Sequence, residues 1–418
     1  RWSHCREDRF VIDDLDRLMD LAEENDLQVT INVVFDVSPH WLFEKYPDAR
    51  QVMNNGRAVE PYTVAHRQIG GHPGPCYNHP EARKEREKFL AAVVERYRGH
   101  PAMAMWDVWN EPELCFPQRN PNVETMVCYC PHCRQGFLGW LQAKYGHLDR
   151  LNQVWGRCYE NWEEVELPRN PHTFTDYIDW REFHIATMTG EAAWRLALVE
   201  KLDPMHTRYL HVVPNVMSVF NSVSCCADDF EMVELCQVFA ATMNGGPVYA
   251  PQVISAARGK LCYNVESHIN FGSTAMHQRI LSLEDLLRDW LPQIGLGIRG
   301  FLLWQYRPEV LGFEAPAWGL VGLDGSERPV TSALRQFWEK ISPYAEKLLA
   351  CPPRPGEIGI WKSRKNEIFH FCAHGYLQPL IESVEAYIQT LYWQSYAYRI
   401  IDGEMLAQGE LDEVKLLI

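Results

Sequence analysis

Apolar positions along this chain fall into two alternating patterns. From Asp13 to Asn25 they sit at Leu15, Leu18, Met19, Leu21 and Ala22, the spacing of an amphipathic helix. From Leu27 to Phe35 they become alternating and β-branched, as in a strand. Ala82 to Tyr97 reads as a charged amphipathic helix leading into the apolar run 102–109, and further strands are predicted at 208–214, 237–243, 260–266 and 300–306. Helical patterns lie between most of them. Strand and helix alternating over this length predict a parallel α/β architecture, best fitted by a (β/α)8 TIM barrel, although only six strands are counted up to Tyr306.

Pro352-Pro353-Arg354-Pro355-Gly356 is the clearest linker. It divides a catalytic barrel over 1–350 from a tail over 356–418, in which a strand at 357–361, a helix at 383–393 and strands at 397–401 and 414–418 are expected. Ile368 to Phe371 is too short to assign. The tail reads as the start of a second α/β domain that is cut off at Ile418.

Two predicted strands end in glutamate. Trp109-Asn110-Glu111-Pro112 closes the first apolar run, and Asn264-Val265-Glu266-Ser267 closes a later one, followed by a polar loop with His268 and Asn270. An Asn-Glu-Pro tripeptide also suits a helix N-terminus, where Glu111 would favour the dipole. The second strand-end carboxylate shifts the balance, because active sites of barrel enzymes sit at the C-terminal ends of strands and a retaining glycosidase needs two carboxyls.

Composition narrows the choice of partner. The formal charge of −15 argues against nucleic acid or an anionic membrane surface and suits a neutral substrate such as a sugar. The 15 tryptophans include Trp304 and Trp318, at and beyond the last predicted strand, which are candidate sugar platforms and equally candidate core residues. No run of about 18 apolar residues is present, so no membrane span is expected. The first residues carry neither an initiator Met nor a signal pattern.

Thirteen cysteines is an odd number, and three of them crowd into Cys128-Tyr129-Cys130-Pro131-His132-Cys133. This favours a reducing, cytoplasmic setting and a metal site over a disulfide framework. Thiolates at this spacing suit tetrahedral zinc, with Cys76 or Cys115 as the fourth ligand and His132 less suited because it lies between two others. Four thiolates leave no open position for water or substrate, so the zinc is expected to be structural and to pin an insertion of about 112–135 beside Glu111.

The sequence resembles the glycoside hydrolase family 42 β-galactosidases. The likeness rests on Trp41-Leu42-Phe43-Glu44-Lys45-Tyr46-Pro47, the Asn110-Glu111 pair, the cysteine cluster, and the stretches Phe137 to Gly146 and Leu148 to Gly156. It extends more weakly over residues 10–345, and the tail is similar to the family's domain that follows the barrel. The resemblance implies that Glu111 is the general acid/base, Glu266 the nucleophile and Asn110 a sugar ligand. It also implies zinc on Cys76, Cys128, Cys130 and Cys133, and a trimer whose neighbouring subunits wall the active site. If Glu111 and Glu266 stand on the fourth and seventh strands, the first two strands precede Arg1.

Three positions depart from the family. His72 stands where a sugar-binding Arg is usual, Met243-Asn244-Gly245-Gly246 supplies no Tyr, and Glu314 is kept while Ala317 replaces a His three residues on. These bear on which sugar is held, with His72, Trp304, Glu314 and Trp318 the expected substrate contacts. In the expected mechanism Glu266 attacks the anomeric carbon while Glu111 protonates the leaving oxygen, which requires carboxyls about 5–5.5 Å apart. The alternatives are a retaining glycosidase for another β-linked sugar, a non-catalytic carbohydrate-binding relative, and a zinc hydrolase.

Overall fold

The computed structural model describes residues 4–36, 38–60, 74–114, 122–213, 222–243, 247–268, 281–308, 310, 315, 318–353 and 356–418. The chain divides into two compact units. The first comprises Arg1–Leu210, Phe220–Cys236 and Ser363–Ile381, the second His211–Val219, Gln237–Lys362 and Glu382–Ile418.

In the first unit, helix α1 (Asp13–Glu24) precedes strand β1 (Val29–Asn32), and α2 (Pro80–Tyr97) precedes β2 (Met103–Asn110). The strands pair in parallel, with Ile31 opposite Trp106 and Asn32 opposite Asp107. Helix α2 begins two residues before the expected Ala82, because His79 caps it by accepting from the Ala82 N–H and Pro80 suits the first turn; Arg96 lies in the last. Helices α3 (Pro131–Tyr145) and α4 (Thr175–Leu202) follow. Strand β3 (Thr207–Val212) begins in this unit and contributes its last two residues to the second.

Helix α4 lacks a clear apolar stripe because its buried face carries ions. Arg195, fully buried, reaches Asp36 with both terminal nitrogens, at 2.9 and 3.1 Å, and Glu191 with Nε at 2.9 Å. Arg86 on α2 lies 2.9 Å from the same Glu191. The Arg195 guanidinium also covers the Trp109 ring at 4.1 Å, directly before Asn110 and Glu111.

In the second unit, the end of β3 pairs in parallel with β4 (Phe239–Thr242), β4 with β5 (Cys262–Ser267) and β5 with β6 (Ile298–Leu303). Thr242 stands opposite Glu266, and Ser267 opposite Leu303. Gly300 on β6 leaves room for Tyr263, whose ring would lie 2.7 Å from any Cβ built there. Helices α5 (Leu283–Leu296) and α6 (Pro329–Ile341) supply a core of Leu286, Trp290, Val330 and Phe337, in which Trp290 stacks on Phe301 at 4.4 Å and donates to Ser267 Oγ at 3.0 Å.

All six strands expected before residue 307 form. The last one ends earlier than the pattern suggests, because Gln305 gives its N–H to the Trp318 carbonyl and the chain leaves the sheet. In the tail, β7 (Ile358–Trp361) is flanked in parallel by β8 (Tyr398–Ile401) and β9 (Leu416–Leu417). Between β7 and β8 the expected helix runs over Gln378–Trp393, and a second, Arg364–His374, forms where the sequence showed only a short apolar segment. Ile368, Phe371 and Cys372 are its buried hydrophobic residues, while Ser363 and Gly375 cap its ends. Among the described residues, no helix is long and apolar enough to cross a membrane.

The buried ionic knot sets a stability test. Replacing Arg195 by Ala strands the carboxylates of Asp36 and Glu191 in the interior and is expected to lower unfolding stability by about 3–5 kcal/mol in urea titrations. An unchanged denaturation midpoint would show that the knot does not hold this unit together.

Candidate active site

In the first unit, Asn110 is the last residue of β2 and Glu111 follows it with φ at 47°, a left-handed turn that takes the chain off the strand axis. Three residues on, Leu114 donates its N–H to the Cys225 carbonyl at 2.8 Å, anchoring the exit. Glu113 lies between these points, with its carboxyl pushed up to about 8 by burial and by the charges of Glu111 and Asp229. Glu113 therefore holds a proton at neutral pH. The sequence places Glu113 beside Glu111 but gives no sign of its burial.

The same unit brings together the four cysteines that the resemblance implies. Cys76 Sγ is 3.4 Å from Cys130 Sγ and 3.4 Å from Cys133 Sγ, and the four sulfurs, with that of Cys128, lie within 4.8 Å of one another. All are free and buried. Tetrahedral zinc with Zn–S bonds of about 2.3 Å spaces its sulfurs by roughly 3.8 Å, so the cluster fits a single ion. The Val52 N–H and the Asn78 amide each point to a sulfur at 3.4 Å, and the Cys133 N–H points to Cys130 Sγ at the start of α3. Donors of this kind stabilise thiolate charge.

The sulfurs also crowd one another. Cys76 is pushed up by its hydrogen bonds with Cys128 and Cys130, and Cys133 by burial and its sulfur neighbours, while Cys130, on which the other three converge, is drawn down. A divalent cation removes this conflict by letting all four ionise. A second set of possible ligands, Asp48, His79 and His132, does not fit a metal as well. His79 Nδ1 accepts from the Ala82 N–H, so Nε2, 3.2 Å from Asp48, carries the proton.

In the second unit, Glu266 lies near the end of β5. His268 Nε2 is 2.9 Å from Glu266 Oε1, and His211 Nε2, on β3, is 3.7 Å from Oε2 and 2.6 Å from Thr242 Oγ1. Burial pushes the Glu266 carboxyl up, but the hydrogen bond from His268 and the charges of His211 and His268 outweigh it and leave the group below the ordinary glutamate value. Trp318 is buried, with its ring stacked on His268 at 4.0 Å, and Trp304 is half-buried at the end of β6. His211 was not among the expected site residues; its signal was a lone ring within an apolar strand. His72, Cys115, residues 244–246, Asn270, Glu314 and Ala317 lie outside the described residues.

Comparison with known proteins places the chain in a family. The glycoside hydrolase family 42 model, described as beta-galactosidase, matches residues 2–344. The chain is 30% identical over 192 residues to the β-galactosidase LacZ of Heyndrickxia coagulans, a match covering 44% of this chain and 26% of that protein. It is 34% identical over 171 residues to the β-galactosidase BgaA of a Thermus species, covering 38% and 24%. These matches span about a quarter of each curated relative.

Among solved structures, the β-galactosidase of Rahnella sp. R3 matches with a TM-score of 0.80 at 18% identity, covering all of this chain and 60% of that one. The β-galactosidase of the psychrophilic Marinomonas ef1 matches with a TM-score of 0.78 at 17% identity, covering all of this chain and 66% of that one. These likenesses fit an α/β, TIM-barrel-like fold. With its profile matched over most of its length, the chain belongs to glycoside hydrolase family 42, the β-galactosidase family.

Proposed function

We propose that this chain is the catalytic portion of a retaining β-galactosidase, with Glu266 as nucleophile, Glu111 as general acid/base and Asn110 as a ligand of the sugar at the scissile bond. The observation that carries the reading is the state of Glu266. A strand-end carboxylate, largely buried yet held ionised by histidine, is what nucleophilic attack on an anomeric carbon needs. Family membership supports the assignment, and a β-galactosidase of G. stearothermophilus with the same fold was solved as a catalytic glutamate-to-alanine mutant.

In the first half-reaction Glu266 forms a bond to the anomeric carbon as Glu111 gives its proton to the leaving oxygen. In the second, Glu111 takes a proton from water, which displaces Glu266 with configuration retained. His72, Trp304, Glu314 and Trp318 are proposed to contact substrate or to support residues that do.

Cys76, Cys128, Cys130 and Cys133 are proposed to hold a structural zinc. A closed set of four thiolates supplies no catalytic position; it would tie the segment before α2 to the segment entering α3. By the family resemblance we also propose a homotrimer, a cytoplasmic enzyme and a tail that begins a second α/β domain.

Hydrolysis of aryl β-galactosides, compared with β-glucosides and other aryl β-glycosides by the full-length protein, tests the reading. Galactoside turnover is expected, falling to background in Glu266→Gln and by about 10²- to 10⁴-fold in Glu111→Ala. Unchanged activity in either variant would show that the site is wrong. The metal has a separate test. One zinc per chain is expected by elemental analysis, and chelation should lower the melting temperature before or together with activity. Loss of activity at an unchanged melting temperature would point instead to a catalytic zinc.

A further inference from the structure

His268 comes two residues after Glu266, at the end of β5, so its ring can lean back along the same face. Its Nε2 reaches Glu266 Oε1 at 2.9 Å. An ionised carboxylate only accepts, so this imidazole nitrogen carries the proton and donates it. The other oxygen, Oε2, has the His211 ring at 3.7 Å, beyond hydrogen-bond length, and that ring is engaged with Thr242 Oγ1 at 2.6 Å. The two carboxylate oxygens are therefore unequal: one is tied, the other faces a ring held back by a neighbouring hydroxyl.

The tie itself is braced. Trp318 stacks on the His268 ring nearly parallel, at 14° between planes, and is only 5% exposed. Its backbone is stitched to the end of β6, since Gln305 donates to the Trp318 carbonyl at 3.1 Å and Leu320 to the Gln305 carbonyl at 3.0 Å. Trp304 in turn donates to the Ser267 carbonyl at 3.2 Å. A free imidazole on a strand-end residue would sample several rotamers. Here the indole removes that freedom, so the donor is aimed before substrate arrives.

We propose that His268 is a positioning residue for the nucleophile, braced by Trp318, which fixes Glu266 by one oxygen and presents the other for attack. This rests on the reading of Glu266 as nucleophile. Trp318 is on this account a support for His268 and not a sugar platform.

The experiment measures kcat and KM separately on an aryl β-galactoside for the full-length protein and its His268→Ala, His268→Gln, Trp318→Leu and His268→Ala/Trp318→Leu variants, with Glu266→Gln as control. Loss of a hydrogen bond to a charged group predicts a fall in kcat of about 10- to 100-fold in His268→Ala, with KM within about twofold. His268→Gln, which keeps a neutral donor at similar reach, should recover most of it. Trp318→Leu should lower kcat alone but add little in the His268→Ala background, because it acts through His268. The proposal is overturned by an unchanged kcat in His268→Ala, by an effect confined to KM, by Gln behaving no better than Ala, or by additive losses in the double variant. Turnover retained in Glu266→Gln would instead overturn the nucleophile assignment, and this proposal with it.

Discussion

A carboxylate buried near the end of a parallel strand stays ionised only if donors around it outweigh its lost hydration. Glu266 meets that condition through His268 at 2.9 Å and the nearby His211, and the chemistry proposed for this chain depends on it. The supporting structure follows from the requirement. Ser267, next in sequence, receives the Trp290 indole N–H, and its carbonyl receives the Trp304 N–H. The strand end is thus held from the core side and from the neighbouring strand, so the carboxylate and its histidine are presented on a fixed backbone.

The first unit solves a related problem with different means. Its catalytic candidate follows Trp109, a ring covered by the Arg195 guanidinium, and Arg195 is neutralised by Asp36 after β1 and by Glu191 on its own helix. Buried charges of this kind seldom add net stability over a hydrophobic packing, but they specify one arrangement and penalise others. The cysteine cluster acts on the same region, since Cys76 is followed by Tyr77, whose ring packs edge-on against Trp109 at 5.3 Å. Helix α4, the cluster and β2 are therefore joined through a small number of side chains beneath Asn110 and Glu111.

The strands, the first two helices and the cysteine cluster were legible because each depends on local pattern: alternating apolar runs, amphipathic spacing, thiols two and three residues apart. Helix Arg364–His374 was not, because charged and histidine residues surround its short apolar set and only the caps at Ser363 and Gly375 mark it. Helix α4 hid its buried face for the opposite reason, since Asp176, Arg181, Glu191 and Arg195 are buried as ions and look like surface in the sequence. At the candidate site, Glu266 stood out as a strand-end acid, whereas His211 drew no notice because its link to Glu266 spans more than fifty positions and is made only by the sheet. Trp318 could be recognised as important but not as a partner of His268, since a stacked ring and a sugar platform have the same sequence signature.

The most direct test of the central claim is covalent capture. A 2-deoxy-2-fluoro-β-galactoside with a good leaving group slows both half-reactions but lets the glycosyl-enzyme accumulate, and peptide mass spectrometry then locates the attached sugar. One fluorogalactosyl group per chain is expected, on the peptide containing Glu266, and none in Glu266→Gln. Attachment to any other carboxylate, or inhibition with no covalent adduct, would contradict it.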